Sequence, residues 1–206
     1  MSIGIISIGA GNLGSIPNML KRLGVTAFIA TNPDEIARAE KLILPGVGAF
    51  DTAMNSLRDR SLVGILGERV LGDRVPLLGI CLGMQLLAER SDEGQTAGLG
   101  WISGAVRRLP VERNDGKRLL VPHMGWNTVR VEKASPLFHN LDSNSRFYFV
   151  HSYYFACDNQ DDALATTEYG IRFPSAVQKG HIQGVQFHPE KSHRFGLQLL
   201  RNFVVS

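Results

Sequence analysis

In the first half of the chain, short apolar runs alternate with segments whose apolar residues recur at helical spacing. Residues 3–8 form a near-continuous apolar run, and residues 13–23 carry apolar side chains at positions 13, 16, 19, 20 and 23. Further strands are predicted at 27–30, 41–44 and 76–80, and further helices at 34–39, 49–71 and 83–90. Such alternation is typical of a parallel sheet that helices cover on both faces.

The long helical pattern at 49–71 is expected to break near Ser61 or Gly67. The second half of the chain is dominated by strand-like segments. They are predicted at 101–106, 118–121, 127–131, 147–156, 163–168, 175–179 and 182–187. A closing helix is predicted from about His193 to Val204, with Ser192 as its N-cap, and the polar tract 158–162 is expected to be an exposed loop. We therefore predict one domain over residues 1–206, a three-layer α/β domain with a mostly parallel sheet and an added antiparallel region.

Composition and charge exclude several classes of protein. The 206 residues are 44% hydrophobic and 20% charged, which is ordinary for a globular chain. A net charge of +3 is too small a surplus to indicate nucleic-acid binding. No run of eighteen apolar residues predicts a membrane span, and the first residues lack the pattern of a signal peptide. Two cysteines are too few for a disulfide scaffold, so we expect a cytoplasmic protein.

The pattern Gly-x-Cys-x-Gly at residues 79–83 lies between a predicted strand and a predicted helix. With serine in place of cysteine, this pattern is the nucleophile elbow of hydrolases. Glycines on both sides remove side chains that would clash in the sharp turn, and the N-terminus of the following helix favours the thiolate of Cys81. The backbone N–H of Leu82 would lie where an oxyanion forms. A buried core cysteine is the competing interpretation.

A thiol nucleophile needs a base, and His188 has the most suggestive surroundings of the six histidines. It follows the predicted strand 182–187, and chemistry in an open α/β sheet gathers at the carboxyl ends of strands. Pro189 favours an extended His188, and Glu190 is close enough in sequence to contact the imidazole and set its tautomer. The alternative is a strand-end histidine beside a solvated carboxylate.

A second oxyanion donor could come from residues 44–50, where Gly46 and Gly48 follow a predicted buried strand. Two glycines allow the backbone to approach a substrate closely. A simple strand-to-helix turn accounts for the same residues nearly as well.

Six segments together resemble the class I, triad-type glutamine amidotransferases. They are residues 9–13, 44–48, 79–85, 121–127, 148–154 and 186–192. They occur in the order in which the family has them and span most of the chain. Within that class, the Pro-His-Met-Gly-Trp-Asn segment at 122–127 is similar to the glutaminase subunits of imidazole glycerol phosphate synthases, which serve histidine biosynthesis. The resemblance implies a flavodoxin-like sheet.

The resemblance also implies roles for individual residues. Cys81 would attack the side-chain amide of L-glutamine, His188 would transfer the proton, and Glu190 would orient His188. Ammonia would leave, and water would hydrolyse the glutamyl thioester. By position, Gly48 and Leu82 would serve the oxyanion, and Gln85, Ser152 and Tyr153 would hold the glutamine. No cofactor and no metal are implied.

The ammonia is expected to pass to a cyclase partner with a (β/α)8 barrel, in a heterodimer that makes imidazole glycerol phosphate and aminoimidazole carboxamide ribotide. Met124, Trp126 and Asn127 are expected at the interface with that barrel, with core packing as the alternative for the apolar ones. Two departures bear on the pathway. The family usually has Asp-Tyr where this chain has Ser-Ile at 7–8, and residues 191–196 are similar to paralogues that supply ammonia for amidine formation on a surface-polysaccharide sugar. That sugar is the alternative acceptor.

Other functions remain as competitors. Residues 9–14 satisfy Gly-x-Gly-x-x-Gly, but a dinucleotide site also expects an acidic residue at the end of the second strand, where this chain has residues 29–32, Ile-Ala-Thr-Asn. We interpret these glycines as a tight turn near the partner interface. A metal site at His188 and His193 lacks further ligands. A non-enzymatic α/β module that keeps the fold would need a broken triad, whereas all three triad residues are present here. A stand-alone cysteine hydrolase of γ-glutamyl bonds stays open, and His151 is interpreted as structural.

Overall fold

The computed structural model describes residues 1–9, 14–112 and 116–206. The glycine-rich turn predicted at 9–14 falls largely on residues 10–13, which lie outside the described residues. Among the helices of the described ranges, none has the length and apolar character that crossing a membrane requires.

The alternation of strands and helices predicted for the first half is confirmed. The strands are β1 (Ser2–Ile6), β2 (Thr26–Ala30), β3 (Lys41–Gly46) and β4 (Leu77–Cys81). The helices are α1 (Ser15–Arg22), α2 (Pro33–Ala37), α3 (Phe50–Asp59), α4 (Leu62–Gly67) and α5 (Leu82–Gln85), and a π-helical turn over Glu68–Gly72 extends α4. The predicted break in the long helix occurs at Ser61, whose φ of 58° is incompatible with a continuous right-handed helix.

Most of the strands expected in the second half form, and so does the closing helix. The strands are β5 (Arg90–Ser91), β6 (Gly104–Arg108), β7 (His123–Thr128), β8 (Arg130–Val131), β9 (Arg146–His151), β10 (Tyr153–Cys157), β11 (Ala163–Tyr169), β12 (Ile171–Lys179) and β13 (Ile182–Val185). The closing helix is α6 (His193–Val205), which begins after Ser192 as predicted. However, the Ser192 side chain makes no capping bond, because its hydroxyl donates to the carbonyl of His188. The single strand predicted at 147–156 is divided between β9 and β10.

Two predicted elements are wrong. The helix expected at 83–90 ends at Gln85, because the carbonyls of residues 86–89 accept hydrogen bonds from the segment 98–102 and Arg90 then pairs with β6. The strand expected at 118–121 does not form, and Arg118 makes only an isolated bridge with Glu112. In the first place hydrogen bonds to the segment 98–102 replace the helical pattern, and in the second a bridge within residues 112–118 takes the place of a strand.

The central sheet has eight strands in the order β2-β1-β3-β4-β13-β12-β11-β8. The first five are mutually parallel, and β12, β11 and β8 continue the sheet in antiparallel pairing. Smaller sheets are formed by β10-β6-β5 and by β7-β9. The predicted α/β class, with a mostly parallel sheet and an antiparallel addition, is confirmed.

Two apolar clusters lie on opposite faces of the central sheet. Along β3, Leu42 and Leu44 belong to one cluster and Ile43 to the other, as alternation along a strand requires. The first cluster includes residues of α2, α3 and α4, and the second includes residues of α1 and α6. Helices therefore cover both faces, and the carboxyl ends of β3, β4 and β13 are left side by side at one edge.

Candidate active site

Cys81 lies at the turn from β4 into α5 with a strained backbone. Its φ is 55° and its ψ is −111°, a region that residues other than glycine rarely occupy. Such strain persists only where the surrounding structure enforces it, and it is concentrated at active sites. The side chain is only 8% exposed and lines a cavity.

The packing around Cys81 explains the glycines on either side of it. A Cβ at Gly83 would lie 1.7 Å from the carbonyl oxygen of Leu44, and a Cβ at Gly79 would lie 2.7 Å from the carbonyl oxygen of Gly83. Gly46, the register partner of Cys81 on β3, would place a Cβ 2.9 Å from the backbone nitrogen of Gly83. The turn therefore requires glycine at both positions in the Gly-x-Cys-x-Gly pattern.

His188 and Glu190 form a buried pair just beyond β13. Nδ1 of His188 donates to Oε1 of Glu190 across 2.7 Å, and the two side chains are 3% and 11% exposed. Because a carboxylate only accepts, Nδ1 carries a proton in this bond. In the described part of the chain, the buried Nε2 has no hydrogen-bond partner. The backbone N–H of His188 donates to the carbonyl of Tyr148 and holds the segment in place.

The pKa of His188 shows which groups act on the ring. Burial lowers this pKa, but interactions with the Cys81 thiol and the Glu190 carboxylate outweigh burial and raise it from 6.5 to about 10. The imidazolium form of His188 stabilises negative charge that develops beside it. The thiolate is the nucleophilic form of cysteine.

One cavity of about 360 Å³ joins the predicted site residues, a volume in the range of small-molecule sites. Cys81 and His188 line it together with the residues predicted for the oxyanion and the substrate, namely Gly48, Leu82, Gln85, Ser152 and Tyr153. Glu190 is not in the wall and reaches the site through His188. Gly48 has a φ of +97°, so glycine is needed in this turn of the cavity wall.

Sequence reasoning missed Glu93, which also lines the cavity. Its Oε2 accepts the backbone N–H of Phe50 at 2.9 Å, and Asp51 accepts the N–H groups of Gln95 and Thr96. These hydrogen bonds hold residues 93–96 against the start of α3. A carboxylate in this wall can contact an ammonium group. No local spacing could have indicated Glu93, since its position depends on a contact between segments 43 residues apart.

Two buried histidines form a directed hydrogen-bond chain at the cavity, and one of them, His151, lines it. Nδ1 of His151 contacts the carbonyl oxygen of Tyr153 at 2.8 Å, so this nitrogen must be the donor. Nε2 of His151 then accepts from Nδ1 of His123 at 3.0 Å, and Nε2 of His123 accepts from Nδ2 of Asn127 at 3.3 Å. Burial lowers the pKa of His123 to about 4 and that of His151 to about 3. Both rings are neutral, and both ring nitrogens of His151 are engaged in hydrogen bonds within the chain.

The residues expected at a partner interface divide between the two faces of β7. Met124 and Trp126 are 62% and 45% exposed, and Trp126 stacks on His193 with 5.3 Å between ring centroids. Asn127 lies on the opposite face, where its amide donates to the carbonyl of Glu168 as well as to His123. Met124 and Trp126 are therefore free to meet a partner and are not core residues, whereas the Asn127 side chain is engaged within the chain.

Comparison with known proteins assigns the chain to a family. The family model described as "Glutamine amidotransferase class-I" matches residues 5–206. The chain is 49% identical over 202 residues to "Imidazole glycerol phosphate synthase subunit HisH 2" of Methanococcus maripaludis, which covers 98% of both proteins. It is 48% identical over 200 residues to the subunit of the same name from Pseudomonas aeruginosa, with 97% of each covered. It is also 48% identical over 202 residues to subunit HisH of Bdellovibrio bacteriovorus, with 98% of each covered.

Solved structures agree with this fold. A structure titled as a glutamine amidotransferase superimposes with a TM-score of 0.75 at 23% identity and covers 98% of this chain and 97% of that one. A glutamine amidotransferase from Thermotoga maritima gives a TM-score of 0.70 at 17% identity, covering 99% of this chain and 96% of that one. At these identities the similarity establishes the fold and nothing finer.

Proposed function

The chain belongs to the class-I glutamine amidotransferase family, and from this premise we propose that it is the glutaminase subunit of an imidazole glycerol phosphate synthase. In this role it hydrolyses L-glutamine to glutamate and ammonia and serves histidine biosynthesis. The observation that carries the proposal is the meeting of Cys81, His188 and Glu190 at one edge of the sheet, beside a cavity of amino-acid size. The chain is 48–49% identical to subunits of that name over 97–98% of each protein, and this similarity supports the pathway.

The proposed reaction begins with attack of the Cys81 thiolate on the carbonyl carbon of the glutamine side-chain amide. The backbone N–H of Leu82 and the segment at Gly48 stabilise the oxyanion that forms. Protonated His188 gives its proton to the departing nitrogen, and ammonia leaves a glutamyl thioester on Cys81. His188 then takes a proton from water, which attacks the thioester and releases glutamate. Glu190 keeps His188 oriented and stabilises its charged form through both steps.

The cavity wall supplies groups for the amino-acid end of glutamine. Gln85, Ser152 and Tyr153 line it as the resemblance implies. We add Glu93 to this set, because its carboxylate faces the same cavity and can pair with the substrate ammonium. The negative charge at this end selects a substrate that carries a positive charge there.

The ammonia is used by a partner subunit, which we propose to be a (β/α)8 cyclase in a heterodimer. Met124 and Trp126 are exposed apolar side chains on β7, and Pro122, just before β7, lines the cavity. Two further apolar residues are exposed: Val47, which itself lines the cavity, and Leu120, which lies two residues before Pro122 in sequence. We propose that this apolar surface meets the partner, since large exposed apolar side chains mark contact sites. The alternative acceptor, a surface-polysaccharide sugar, finds no support among the relatives described above.

The direct test is glutamate release from L-glutamine by the purified chain, alone and with a cyclase subunit of an imidazole glycerol phosphate synthase plus its ribonucleotide substrate. We expect strong stimulation by the cyclase. Cys81→Ala should lower hydrolysis at least a thousandfold and leave cyclase binding intact. Cys157→Ala is the matched control, because burial raises the pKa of the Cys157 thiol to about 12 and leaves it unreactive. Hydrolysis that survives Cys81→Ala would contradict the nucleophile, and absent stimulation would contradict the pathway.

A further inference from the structure

A buried polar side chain, Gln186, contacts the sulfur of Cys81. Its Nε2 donates to Sγ at 3.7 Å, a distance within the range of hydrogen bonds to sulfur. Gln186 is fully buried just beyond the carboxyl end of β13, and its backbone N–H donates to the carbonyl of Ser175 at 2.9 Å. The side chain is therefore held in place beside the nucleophile and has no access to solvent.

The orientation of this amide follows from its neighbours. The carbonyl oxygen of Tyr153 can only accept, so the side-chain atom of Gln85 that lies 3.0 Å from it must be the nitrogen. The same nitrogen lies 3.0 Å from the side chain of Gln186, whose nearest atom must then be its oxygen. This leaves the nitrogen of Gln186 facing the sulfur.

The Tyr153 carbonyl thus fixes the direction of the hydrogen bonds that link Gln85 and Gln186 to the sulfur of Cys81. His151 strengthens the starting point, since its Nδ1 donates to the same carbonyl at 2.8 Å. Gln85 is 4% exposed, so water does not compete for its bonds. A reversed Gln186 amide would place its nitrogen against the nitrogen of Gln85, two donors facing each other, and its carbonyl oxygen against the sulfur.

We propose that Gln186 stabilises the thiolate of Cys81 by hydrogen bonding, and that Gln85 is a positioning residue that keeps the N–H of Gln186 toward the sulfur. The proposal rests on the proposed function, in which Cys81 is the nucleophile. A donor stabilises a thiolate more than a thiol, because its bond to a charged acceptor is stronger. Together with protonated His188, it keeps the sulfur charged before glutamine binds.

The test measures alkylation of Cys81 by iodoacetamide as a function of pH, which requires neither glutamine nor the partner. Mass spectrometry of the Cys81 peptide separates this reaction from any at Cys157. Gln186→Met keeps the volume and removes the donor, so we expect the midpoint of the pH profile to rise by about one pH unit, with about tenfold slower alkylation below the midpoint. Gln183→Met is the matched control, since Gln183 is another buried glutamine, within β13, and has no contact with Cys81 among the described hydrogen bonds.

An unchanged midpoint in folded Gln186→Met protein would overturn the proposal, and so would an equal rise in Gln183→Met. If Gln186→Met does not fold, Gln85→Met decides with the same readout. It removes the group that orients Gln186, so a rise supports the proposal and an unchanged midpoint overturns it. A wild-type Cys81 that is alkylated no faster than a free thiol would contradict the proposed function itself, a result distinct from an unaffected Gln186 variant.

Discussion

His123 and His151 are register partners on β7 and β9, and Nδ1 of His123 lies 3.0 Å from Nε2 of His151. Only one proton can lie between two nitrogens, and the Tyr153 carbonyl already requires the proton of His151 on its other nitrogen. Protonating His151 would therefore direct two N–H groups at each other. The hydrogen-bonded pair is stable only while both rings are neutral, so the stability of the fold depends on pH.

We expect acid to destabilise the protein as the pH falls below about 6.5. The folded pKa of His151 is about 3, below its ordinary 6.5, so the unfolded state binds the proton first. The contribution of His151 to the free energy of unfolding is complete above pH 6.5 and is lost progressively toward pH 3. The loss is about 1.4 kcal/mol per pH unit. His123, with a pKa lowered to about 4, acts in the same direction. Urea unfolding at a series of pH values measures this slope.

His188 acts in the opposite direction. Its folded pKa of about 10 lies above its ordinary value of 6.5. Its contribution to the free energy of unfolding is therefore complete below pH 6.5 and is lost as the pH rises toward 10. Stability should therefore be greatest near pH 6.5. His151→Asn should reduce the acid slope, whereas His139→Asn, at an exposed position, should leave it unchanged. An acid slope that His151→Asn does not alter would contradict the neutral pair.

Glu190→Gln should reduce glutamine hydrolysis less than His188→Ala does. The amide can still accept from Nδ1 of His188, but it no longer stabilises the imidazolium, and the pKa of His188 should fall. In a triad, losing the orienting acid costs roughly a hundredfold less than losing the histidine. Steady-state kinetics of both variants over a range of pH measure the two losses. Equal losses would mean that the two residues act as one unit.

Gly83→Ala should destabilise the protein by about 3 kcal/mol or more and abolish activity, because the added methyl would overlap the carbonyl of Leu44. Gly64→Ala is the matched control. Gly64 lies in α4 with open space around its Cβ position, so alanine should stabilise the helix by about 0.5–1 kcal/mol. Urea unfolding compares the two variants. A well-folded, active Gly83→Ala protein would show that the turn at Cys81 tolerates a side chain.

Trp126→Ala should weaken cyclase binding at least tenfold while lowering the free energy of unfolding by only about 1 kcal/mol. The stability loss comes from its ring contacts with His193 and Tyr148. Leu71→Ala removes a comparably exposed apolar side chain from the π-helical turn and should leave binding unchanged. Isothermal titration calorimetry and thermal unfolding distinguish the outcomes. A large loss of stability with unchanged binding would place Trp126 in the fold and not at the interface.

The residues that could be predicted are those whose signals are local. Cys81 stands between two glycines, and His188 is two residues from its carboxylate, so each part of the proposed triad is contained in a few consecutive positions. Glu93 and Gln186 could not be assigned in this way. Glu93 is positioned by Phe50, and Gln186 is oriented by Gln85, which is 101 residues away.

The sequence by itself determined the class of the sheet, the elbow at Cys81 and the pairing of His188 with Glu190, because apolar periodicity, glycine placement and short spacing act over a few residues. The end of α5 and the face on which Asn127 lies were decided by tertiary structure. So was the direction in which the Gln186 amide points. Each of these depends on hydrogen bonds between strands and loops that are distant in the chain, and such bonds exist only after the sheet has assembled.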